Sequence, residues 1–584
     1  MRYLALCTDY DGTIAHHGVV DEPTIDALSR LRESGRKLIM VTGREIGDLL
    51  TVFPRLDLFE LVVAENGALL YHPQTREEQP LGEAPLPAFV AALQARGVTP
   101  LSVGRSIVAT FEPHENTVLD VIRDLGLELQ VIFNKGAVMV LPSGVNKASG
   151  LKAALKQLNL SVHNTVGVGD AENDHAFLSI CECAVAVANA LPSVKDKADF
   201  VTQATHGPGV TQLIEEMLED DLASREPALI RHHILLGATS GGQPVHFSPY
   251  GVNALIVGTS GGGKSGVAAG LVERLRNYGY SFCIIDPEGD YDTIESAVVL
   301  GSPDHPPEID ECVQLLYKPD QNAVINLLGV ALNDRPSFFM TLFTRIRELR
   351  ARTGRPHWLI VDEAHHVMPS SGQPTDQTLP EQLEGVLLVS VTPALLAKSL
   401  LRGIDTVVML GDKPRQMLHE FTQANKLPMI EPPVETLDTG DALLWSRSSN
   451  APPLLLKLEP GKTERRRHLR KYAEGELPEN RSFFFRGPEG KLKLRAANLI
   501  AFMDLGDGVD DDTWLFHLRR HDVSQWLREA IKDDELADKV AAVEAGNAQD
   551  ANASRKQVRE LIEAVYTLPA TGQAAAASPK PTIH

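Results

Sequence analysis

The first residues that could carry out chemistry are Asp9 and Asp11, in the segment DYDGT at positions 9–13. This segment follows the apolar run Tyr3–Thr8, which has the length and composition of a buried strand. Two carboxylates spaced i and i+2 at a strand end can face one cavity. Asp9 could attack a phosphorus atom, and Asp11 could protonate the leaving oxygen and then activate water. A solvated turn is the alternative interpretation.

A carboxylate and a phosphate repel each other, so this chemistry needs a cation. Mg²⁺ with oxygen ligands would neutralise both groups. The run GDAENDHAF, at positions 169–177, supplies further carboxylates just after the apolar strand Thr165–Val168. We expect Asp170 to bind Mg²⁺ directly, and Asp174 and Asn173 to support the metal and its waters.

Two further polar side chains lie where they could bind a phosphoryl group. Thr42 ends an apolar strand, where a hydroxyl and a backbone amide could hold phosphate oxygens. Lys147 opens a helix-like stretch and could balance the charges of Asp9 and of the phosphoryl group. Arg44 and Glu65 are also near these motifs, but we expect Arg44 to pair with a structural carboxylate and Glu65 to cap a turn.

A second set of candidate functional residues begins with GTSGGGKS, at positions 258–265. This segment fits the nucleotide-binding pattern GxxxxGK[ST]. It lies between the apolar strand Ala254–Val257 and the helix-like stretch Val267–Arg276, as the pattern requires. Lys264 would reach the β- and γ-phosphates of ATP, and Ser265 would bind Mg²⁺. The residues expected to hold the nucleotide are Gly258, Thr259, Ser260, Gly261, Gly262, Gly263, Lys264 and Ser265.

The expected partner of this loop is the strand Trp358–Val361, which ends at Asp362 and Glu363. Asp362 would join the Mg²⁺ shell of the nucleotide, and Glu363 would polarise the attacking water. The adjacent acidic pair predicts ATP hydrolysis rather than nucleotide storage. The alternative is a strand that ends in a solvated Asp-Glu turn.

The elements that must position these residues follow an α/β alternation. Residues 1–220 alternate apolar strands with helix-like stretches, which is typical of a doubly wound sheet. Strand-like pieces around a helix at about 75–140 predict a small α+β cap. The α/β alternation resumes over residues 228–460. A small α+β accessory domain is expected over residues 473–568, and a disordered tail over residues 569–584.

The charge balance limits the range of partners. The 77 acidic and 56 basic residues give a net charge of −21, which favours solubility and disfavours adhesion to nucleic acid or anionic membranes. The basic stretch Lys457–Tyr472 allows a local nucleic-acid contact without favouring one. No apolar run could span a bilayer, and the N-terminus does not resemble a signal peptide. The 5 cysteines form no CxxC pair, which predicts reduced thiols in a cytoplasmic protein.

In this order, the first motifs resemble those of the haloacid dehalogenase (HAD) superfamily of phosphatases. DYDGT, the strand end at Thr42, Lys147 and GDAENDHAF match its four motifs. ENGA at 65–68 and VANA at 187–190 narrow the resemblance to the Cof-like, sucrose-phosphatase-like and phosphoglycolate-phosphatase-like branch, and the short cap is most similar to small-cap phosphoglycolate phosphatases. The resemblance implies a Rossmannoid domain and a Mg²⁺-dependent phosphomonoesterase with an aspartyl-phosphate intermediate. It also implies the backbone carbonyl of Asp11 as a metal ligand.

Over about residues 230–455, the chain resembles the HerA/FtsK group of P-loop ATPases. IIDPEGDY at 284–291 is similar to the acidic motif of that group, and the hairpin expected at 234–247 resembles its short β element. The resemblance implies a homo-oligomeric ring, typically a hexamer, with nucleotide at the subunit junctions. It also implies an arginine from the neighbouring subunit, for which Arg402 and Arg415 are candidates.

One strand departs from the pattern of the HerA/FtsK group. The sensor strand of such ATPases usually carries a glutamine, but this chain reads LVSVTP at 388–393. Ser390 or Thr392 would have to take the place of the glutamine. The resemblance therefore does not imply that ATP hydrolysis is coupled to movement in this chain.

Three hypotheses for the whole chain remain. The leading one is a bifunctional hydrolase that joins a phosphatase for a small phosphorylated molecule to an ATPase. The second is a nucleic-acid machine, in which the ATPase moves a strand and the phosphatase trims its ends. The third is a metabolic phosphatase that ATP gates. The last module offers no site, since 510–512 (DDD) is expected to cap a helix.

Overall fold

The computed structural model describes residues 1–584 except 260–262, 292–293, 295, 371–382, 384, 439, 448–450, 460, 462–476, 478, 532, 547–549 and 566–584. The tail expected to be disordered and most of the basic stretch Lys457–Tyr472 lie outside the described residues. The first compact unit consists of Met1–Val257, Arg274–Leu437 and Asp441–Lys457. The second consists of Gly258–Glu273, Asp438–Gly440 and the described residues from Leu458 onwards.

Strands and helices alternate through the N-terminal part. The strands are β1 (Ala5–Thr8), β2 (Lys37–Val41), β3 (Leu61–Ala64), β4 (Leu69–His72), β5 (Glu77–Pro80), β6 (Ser102–Val103), β7 (Val108–Phe111), β8 (Leu129–Asn134), β9 (Ala137–Pro142), β10 (Thr165–Gly169), β11 (Cys183–Ala186) and β12 (Phe200–Val201). The helices are α1 (Glu22–Glu33), α2 (Ile46–Val52), α3 (Pro87–Ala95), α4 (Glu115–Asp124), α5 (Lys147–Gln157), α6 (His175–Ile180), α7 (Pro192–Lys195) and α8 (His206–Asp220).

The N-terminal sheet has the order β12-β11-β10-β1-β2-β3-β4-β5. Its strands from β12 to β3 are parallel, and β4 and β5 add an antiparallel edge. β1 and β10 are neighbours, with Thr8 opposite Val168. The carboxyl ends of these two strands therefore meet, and they deliver Asp9 and Asp170 to one edge of the sheet.

The expected cap is a separate antiparallel sheet of order β6-β7-β9-β8, packed with α3 and α4. Phe89 and Leu93 of α3 and Val118 and Val121 of α4 bury their side chains against β7 and β9. The structure confirms the α+β insertion. The sequence interpretation missed α3, because its pattern of apolar positions is less regular than that of α4.

The central sheet repeats the α/β pattern. Its strands are β13 (Ile234–Thr239), β14 (Pro244–Phe247), β15 (Ala254–Gly258), β16 (Phe282–Asp286), β17 (Val298–Leu300), β18 (Ala323–Asn326), β19 (Trp358–Val361), β20 (Val386–Ser390), β21 (Thr406–Leu410), β22 (Asp441–Ser446) and β23 (Leu454–Leu458). The helices are α9 (Lys264–Asn277), α10 (Ile309–Tyr317), α11 (Arg335–Thr353), α12 (Lys398–Arg402) and α13 (Pro414–Ala424).

The order of the central sheet is β14-β13-β23-β22-β21-β15-β20-β19-β16-β18-β17. The pairs from β15 to β17 are parallel, whereas β21, β22 and β23 pair antiparallel. β13 and β14 form the predicted hairpin. The α/β fold class predicted for both parts is confirmed.

The C-terminal part is a small α+β module. Strands β24 (Phe483–Phe485) and β25 (Leu494–Ala496) form the predicted hairpin. Its helices are Leu499–Gly508, Asp511–Arg519, Asp522–Trp526, Asp534–Gly546 and Ala551–Val565. The core includes Trp514 and Trp526, as the sequence predicts. Asp510 caps the second helix through the amide of Thr513 at 2.9 Å, which confirms the capping interpretation.

Each of the 5 cysteines, all in the described part of the chain, is buried and has no disulfide partner. Among the described helices, none combines the length and the apolar character needed to cross a membrane.

Candidate active sites

The first site is organised around a buried lysine, Lys147. It opens α5, where Asn146 caps the helix through the amides of Ala148 and Ser149. The side chain is 1% exposed, and its ammonium donates to Asp9 Oδ1 at 2.5 Å and to Asp174 Oδ1 at 2.6 Å. Burial alone would lower the pKa of Lys147, but the charges of Asp174 and Asp9 outweigh burial and raise that pKa. The predicted role of Lys147 as a charge partner of Asp9 matches this geometry.

Asp9 lies directly after β1, and its amide donates to the carbonyl of Val168 on β10 at 3.0 Å. Burial and then the charge of Asp174 raise the pKa of Asp9 to about 8, although Lys147 acts in the opposite direction. Removal from water and a neighbouring carboxylate therefore make a bound cation favourable here.

Asp170 and Asp174 complete an acidic cluster with Asp9. Oxygen atoms of the three carboxylates lie within 4.8 Å of one another. Asp174 Oδ2 accepts the amides of Asp170 at 2.8 Å and Ala171 at 2.9 Å, so the loop after β10 fixes its orientation. Such a set of oxygen ligands fits Mg²⁺.

Asp11, the predicted acid–base residue, is paired with Arg44. Arg44 Nε lies 2.6 Å from Asp11 Oδ2, and Arg44 Nη2 lies 2.8 Å from Asp11 Oδ1. The Asp11 side chain is 44% exposed. Thr42 accepts the amide of Arg44 at 3.2 Å through its hydroxyl, while its own amide donates to Val63. Arg44 thus pairs with a carboxylate, as expected, but this carboxylate is the one assigned to chemistry.

The cap contributes a residue that the sequence interpretation missed, Lys135. It lies in the turn between β8 and β9, with a positive φ of 49°, and its Nζ is 2.7 Å from Asp170 Oδ2. A Cβ on Gly12 would come within 2.8 Å of that Nζ, so Gly12 leaves room for the lysine. The sequence Lys-Gly between two apolar strands predicts a turn. It does not predict that this turn of the cap contacts the loop after β10 in the N-terminal sheet.

Glu65 does not merely cap a turn. Its carboxylate accepts the amides of Arg105 at 2.9 Å and Ser106 at 2.8 Å, in the segment between β6 and β7 of the cap. Asn173, expected to support the metal, donates to Asn66 at 3.0 Å. The ENGA segment therefore links the cap to the loop after β10.

The second site begins at the end of β15. Lys264 is buried at the start of α9, and its ammonium donates to the carbonyl of Thr259 across 3.4 Å. Gly263 has a φ of +84°, a conformation that favours glycine, and Ser265 is half-buried. Three predicted loop residues, Ser260, Gly261 and Gly262, lie outside the described residues.

The acidic pair follows β19, as predicted. Asp362 is buried, and its Oδ1 accepts the amide of Glu363 at 3.0 Å. Glu363 Oε2 lies 3.4 Å from Nδ1 of His365. His365 was not singled out in the sequence, because a histidine after an acidic pair has no spacing signal of its own.

The two candidate substitutes for the sensor glutamine differ in their surroundings. Ser390 is fully buried opposite Val257 in the β15–β20 register, and its hydroxyl lies 3.4 Å from Nδ1 of His365. Thr392 instead donates to Glu420 on α13. Ser390 is therefore the one that connects to the acidic pair through His365.

Asp286 ends β16 and shapes the acidic motif that follows it. Its carboxylate accepts the amides of Gly289 and Tyr291, both at 2.8 Å. Burial raises the pKa of Asp286 to about 6, while the amides of Tyr291 and Asp290 act in the opposite direction and the charges of Asp290 and Asp362 add to the rise. A cation bound nearby would therefore stabilise the ionised form of Asp286.

The two arginines considered for the neighbouring subunit's site are at the surface. Arg415 makes a two-bond pair with Glu431, with both distances at 2.9 Å. The carbonyl of Arg402 accepts from Arg447 at 3.0 Å. Arg415 thus makes a surface salt bridge within its own chain.

Residues 6–121 and 109–214 match the family described as haloacid dehalogenase-like hydrolase, and residues 253–351 match the central domain of helicase HerA. A phosphoglycolate phosphatase of Methanothermobacter thermautotrophicus is 30% identical over 223 residues, 37% of this chain and 98% of that protein. Phosphoglycolate phosphatase 2 of Saccharolobus solfataricus is 29% identical over 223 residues, 37% of this chain and 92% of that protein.

Two solved structures are similar to the N-terminal part. One is a haloacid dehalogenase-like hydrolase from Bacteroides thetaiotaomicron, with 18% identity, a TM-score of 0.32, and coverage of 37% of this chain and 99% of that chain. The other is the sucrose-phosphatase from Synechocystis, with 20% identity, a TM-score of 0.30, and coverage of 37% and 98%.

The chain belongs to the haloacid dehalogenase-like hydrolases through its N-terminal part, and that part is a phosphatase. The following part is a HerA-type P-loop ATPase, so the chain is a fusion of two hydrolases.

Proposed function

We propose that the N-terminal part is a Mg²⁺-dependent phosphomonoesterase that acts through a phosphorylated Asp9. The observation that carries this proposal is the buried Lys147 held between Asp9 and Asp174, with Asp170 beside them. Asp9, Asp170 and the carbonyl of Asp11 would hold Mg²⁺, with Asp174 in support. When bound, Mg²⁺ would neutralise the phosphate and the attacking carboxylate.

The side chains then have distinct roles. An oxygen of Asp9 attacks phosphorus while the leaving oxygen takes a proton from Asp11, and Asp11 later removes a proton from the water that attacks the phosphoryl group. Lys147 orients Asp9 and stabilises added negative charge. Thr42 offers its hydroxyl to a phosphate oxygen. Arg44 is a positioning residue that holds the carboxylate of Asp11.

Acid quench during turnover tests this mechanism. Mass spectrometry of the quenched protein should find a phosphoryl group on the peptide that contains Asp9. The variant Asp9→Asn should lack it, while Asp57→Asn, a change at an exposed carboxylate, should retain it. Turnover without a phosphorylated peptide, under conditions that trap known acyl phosphates, would contradict the proposal.

For the substrate, we propose a small phosphomonoester with a second anionic group, as in phosphoglycolate. Lys135 supports this assignment, since the cap places its ammonium 2.7 Å from Asp170, next to the acidic cluster. When a cation occupies Asp170, Lys135 is available to an anionic leaving group. Phosphorylated small molecules with and without a carboxylate should be compared for wild type, Lys135→Met and the exposed-lysine control Lys152→Met. We expect wild type and Lys152→Met to prefer substrates that carry a carboxylate, and Lys135→Met to lose this preference. An unchanged preference in Lys135→Met would contradict the proposed substrate class.

We propose that the second part hydrolyses MgATP, with Ser265 and Asp362 at the metal and Glu363 polarising water. We also propose that it assembles as a homo-oligomeric ring. The boundaries proposed are 1–220 for the phosphatase with its cap at 75–140, 228–460 for the ATPase and 473–568 for the accessory domain. Light scattering of the full chain with and without ATP tests the ring, and a monomer under both conditions would contradict it.

A further inference from the structure

The amino ends of the strands carry a polar cluster that neither active site uses. His163 and Glu182 shortly precede β10 and β11 of the phosphatase part, and Tyr280 and His357 shortly precede β16 and β19 of the ATPase part. All four side chains are buried. We call the contact among these residues the seam. It joins the two parts within one compact unit.

His163 bonds to both parts at once. Its Nδ1 lies 2.7 Å from Glu182 Oε2, and its Nε2 lies 2.8 Å from the carbonyl oxygen of Tyr278. A carbonyl oxygen and an ionised carboxylate only accept hydrogen bonds, so both ring nitrogens must carry a proton. The ring of Tyr280 stacks on the imidazole, with centroids 3.8 Å apart and planes at 18°.

Glu182 supplies the matching negative charge. Its Oε1 accepts from Arg2 at 3.0 Å, and its Oε2 also accepts from the hydroxyl of Tyr280 at 2.8 Å. Burial by itself would raise the pKa of Glu182, but its hydrogen bond with His163 and the charges of His163 and Arg2 outweigh burial. They hold that pKa well below its usual range.

Two other histidines, His357 and His232, lie beside His163. Nδ1 of His357 accepts the amide of Ser281 at 2.9 Å, which leaves no proton on that nitrogen. Burial lowers the pKa of both His357 and His232, and the charge of His163 adds to this effect. The charged groups near His163 include Glu182, Arg2 behind it, and Arg231, whose charge acts on His232.

We propose that His163 is a buried imidazolium that locks the phosphatase part to the ATPase part. Loss of its proton would remove one of its two hydrogen bonds and the charge that balances Glu182. This proposal does not depend on either reaction.

The hydrogen bond between His163 and Tyr278 connects an element that leads to the phosphatase site with one that leads to the nucleotide site. Tyr278 directly follows α9, whose first residue is Lys264, and His163 lies two residues before β10, which ends next to Asp170. A displacement of the C-terminal end of α9 would therefore be transmitted to the phosphatase part through the hydrogen bond between His163 and the carbonyl of Tyr278. ATP-gated regulation of the phosphatase would have a physical route through His163.

A metal ion is the competing explanation, because His163, Glu182 and His232 lie close enough to hold one. However, both oxygens of Glu182 already accept hydrogen bonds, and Arg2 supplies a positive charge beside them. A proton satisfies every contact of His163, whereas a metal ion would break one of them.

The direct test is NMR of the full chain with ¹⁵N-labelled histidine, with His163→Gln used for assignment. Both ring nitrogens of His163 should carry protons at neutral pH, and purified protein treated with zinc and then dialysed should retain no metal at this site. A single protonated nitrogen, or one zinc ion per chain that is absent from His163→Gln, would overturn the proposal.

Hydrogen exchange tests the lock itself. In His163→Gln, amides on both sides of the seam, such as those of Tyr280 and Glu182, should exchange about 10²-fold faster. The exposed-histidine control His305→Gln should match wild type. If His163→Gln fails to fold, Tyr280→Phe removes one donor to Glu182 and should give a smaller acceleration of the same amides. Unchanged exchange in both seam variants would overturn the lock.

Discussion

The two candidate sites, at the carboxyl ends of strands in the N-terminal sheet and in the central sheet, are built in different ways. We call these two places the phosphatase edge and the nucleotide edge. At the phosphatase edge, Lys147 already holds Asp9 and Asp174 at 2.5 and 2.6 Å, and backbone amides fix the loop that carries Asp170. At the nucleotide edge, the ammonium of Lys264 donates a long hydrogen bond of 3.4 Å to the carbonyl of Thr259. The fold thus pairs the phosphatase lysine with two carboxylates, whereas the described contact of Lys264 is with a neutral carbonyl.

This difference predicts how substitutions at each site affect folding and catalysis. A preorganised cluster of buried charges depends on every member, because removing one leaves the others unpaired in a medium of low dielectric. A backbone loop at a helix N-terminus spreads its interaction with phosphate over many amides. Substitutions should therefore affect both folding and catalysis at the first edge, and mainly catalysis at the second.

The largest effect is expected from Lys147→Met. Without the ammonium, Asp9 and Asp174 are buried together unpaired, so the free energy of unfolding measured in EDTA should fall by about 3–5 kcal/mol. Phosphatase activity should fall at the same time. Lys152→Met, at an exposed position on the same helix, should leave both quantities unchanged. A stable Lys147→Met protein would contradict the preorganised cluster.

The second prediction concerns the pH dependence of Mg²⁺ binding. Burial and Asp174 raise the pKa of Asp9 to about 8, so a proton must leave before the carboxylate can bind a metal. The affinity for Mg²⁺ should rise about tenfold per pH unit below that pKa and level off above it. Calorimetry across this range checks the slope. A slope that persists in Asp9→Asn would assign the proton to another group.

The smallest effect is expected from Ser390→Ala at the nucleotide edge. Its hydroxyl contacts His365, which lies beside Glu363, so its loss should lower ATP turnover by a factor of about 5, equivalent to one hydrogen bond. The free energy of unfolding should change little. Ser337→Ala, at an exposed position on α11, is the control. Equal turnover in both variants would remove Ser390 from the site.

Much of both edges could be predicted from the sequence, because the motifs that carry them are contiguous. DYDGT and GTSGGGKS each follow an apolar strand, and the strand itself sets where the next side chains point. Lys135, in contrast, acts from the tip of a hairpin in a different sheet, and no local pattern encodes that approach. The seam is equally hidden, since His163 and Tyr278 are 115 residues apart along the chain.

The central claim is that two independent hydrolytic sites share this chain, and measuring both activities in two variants tests it most directly. Asp9→Asn should reduce phosphatase turnover by about 10⁴-fold or more and leave ATP hydrolysis intact. Lys264→Ala should abolish ATP hydrolysis and leave intact the phosphatase turnover measured without ATP. Full phosphatase turnover in Asp9→Asn, or full ATP hydrolysis in Lys264→Ala, would contradict the account.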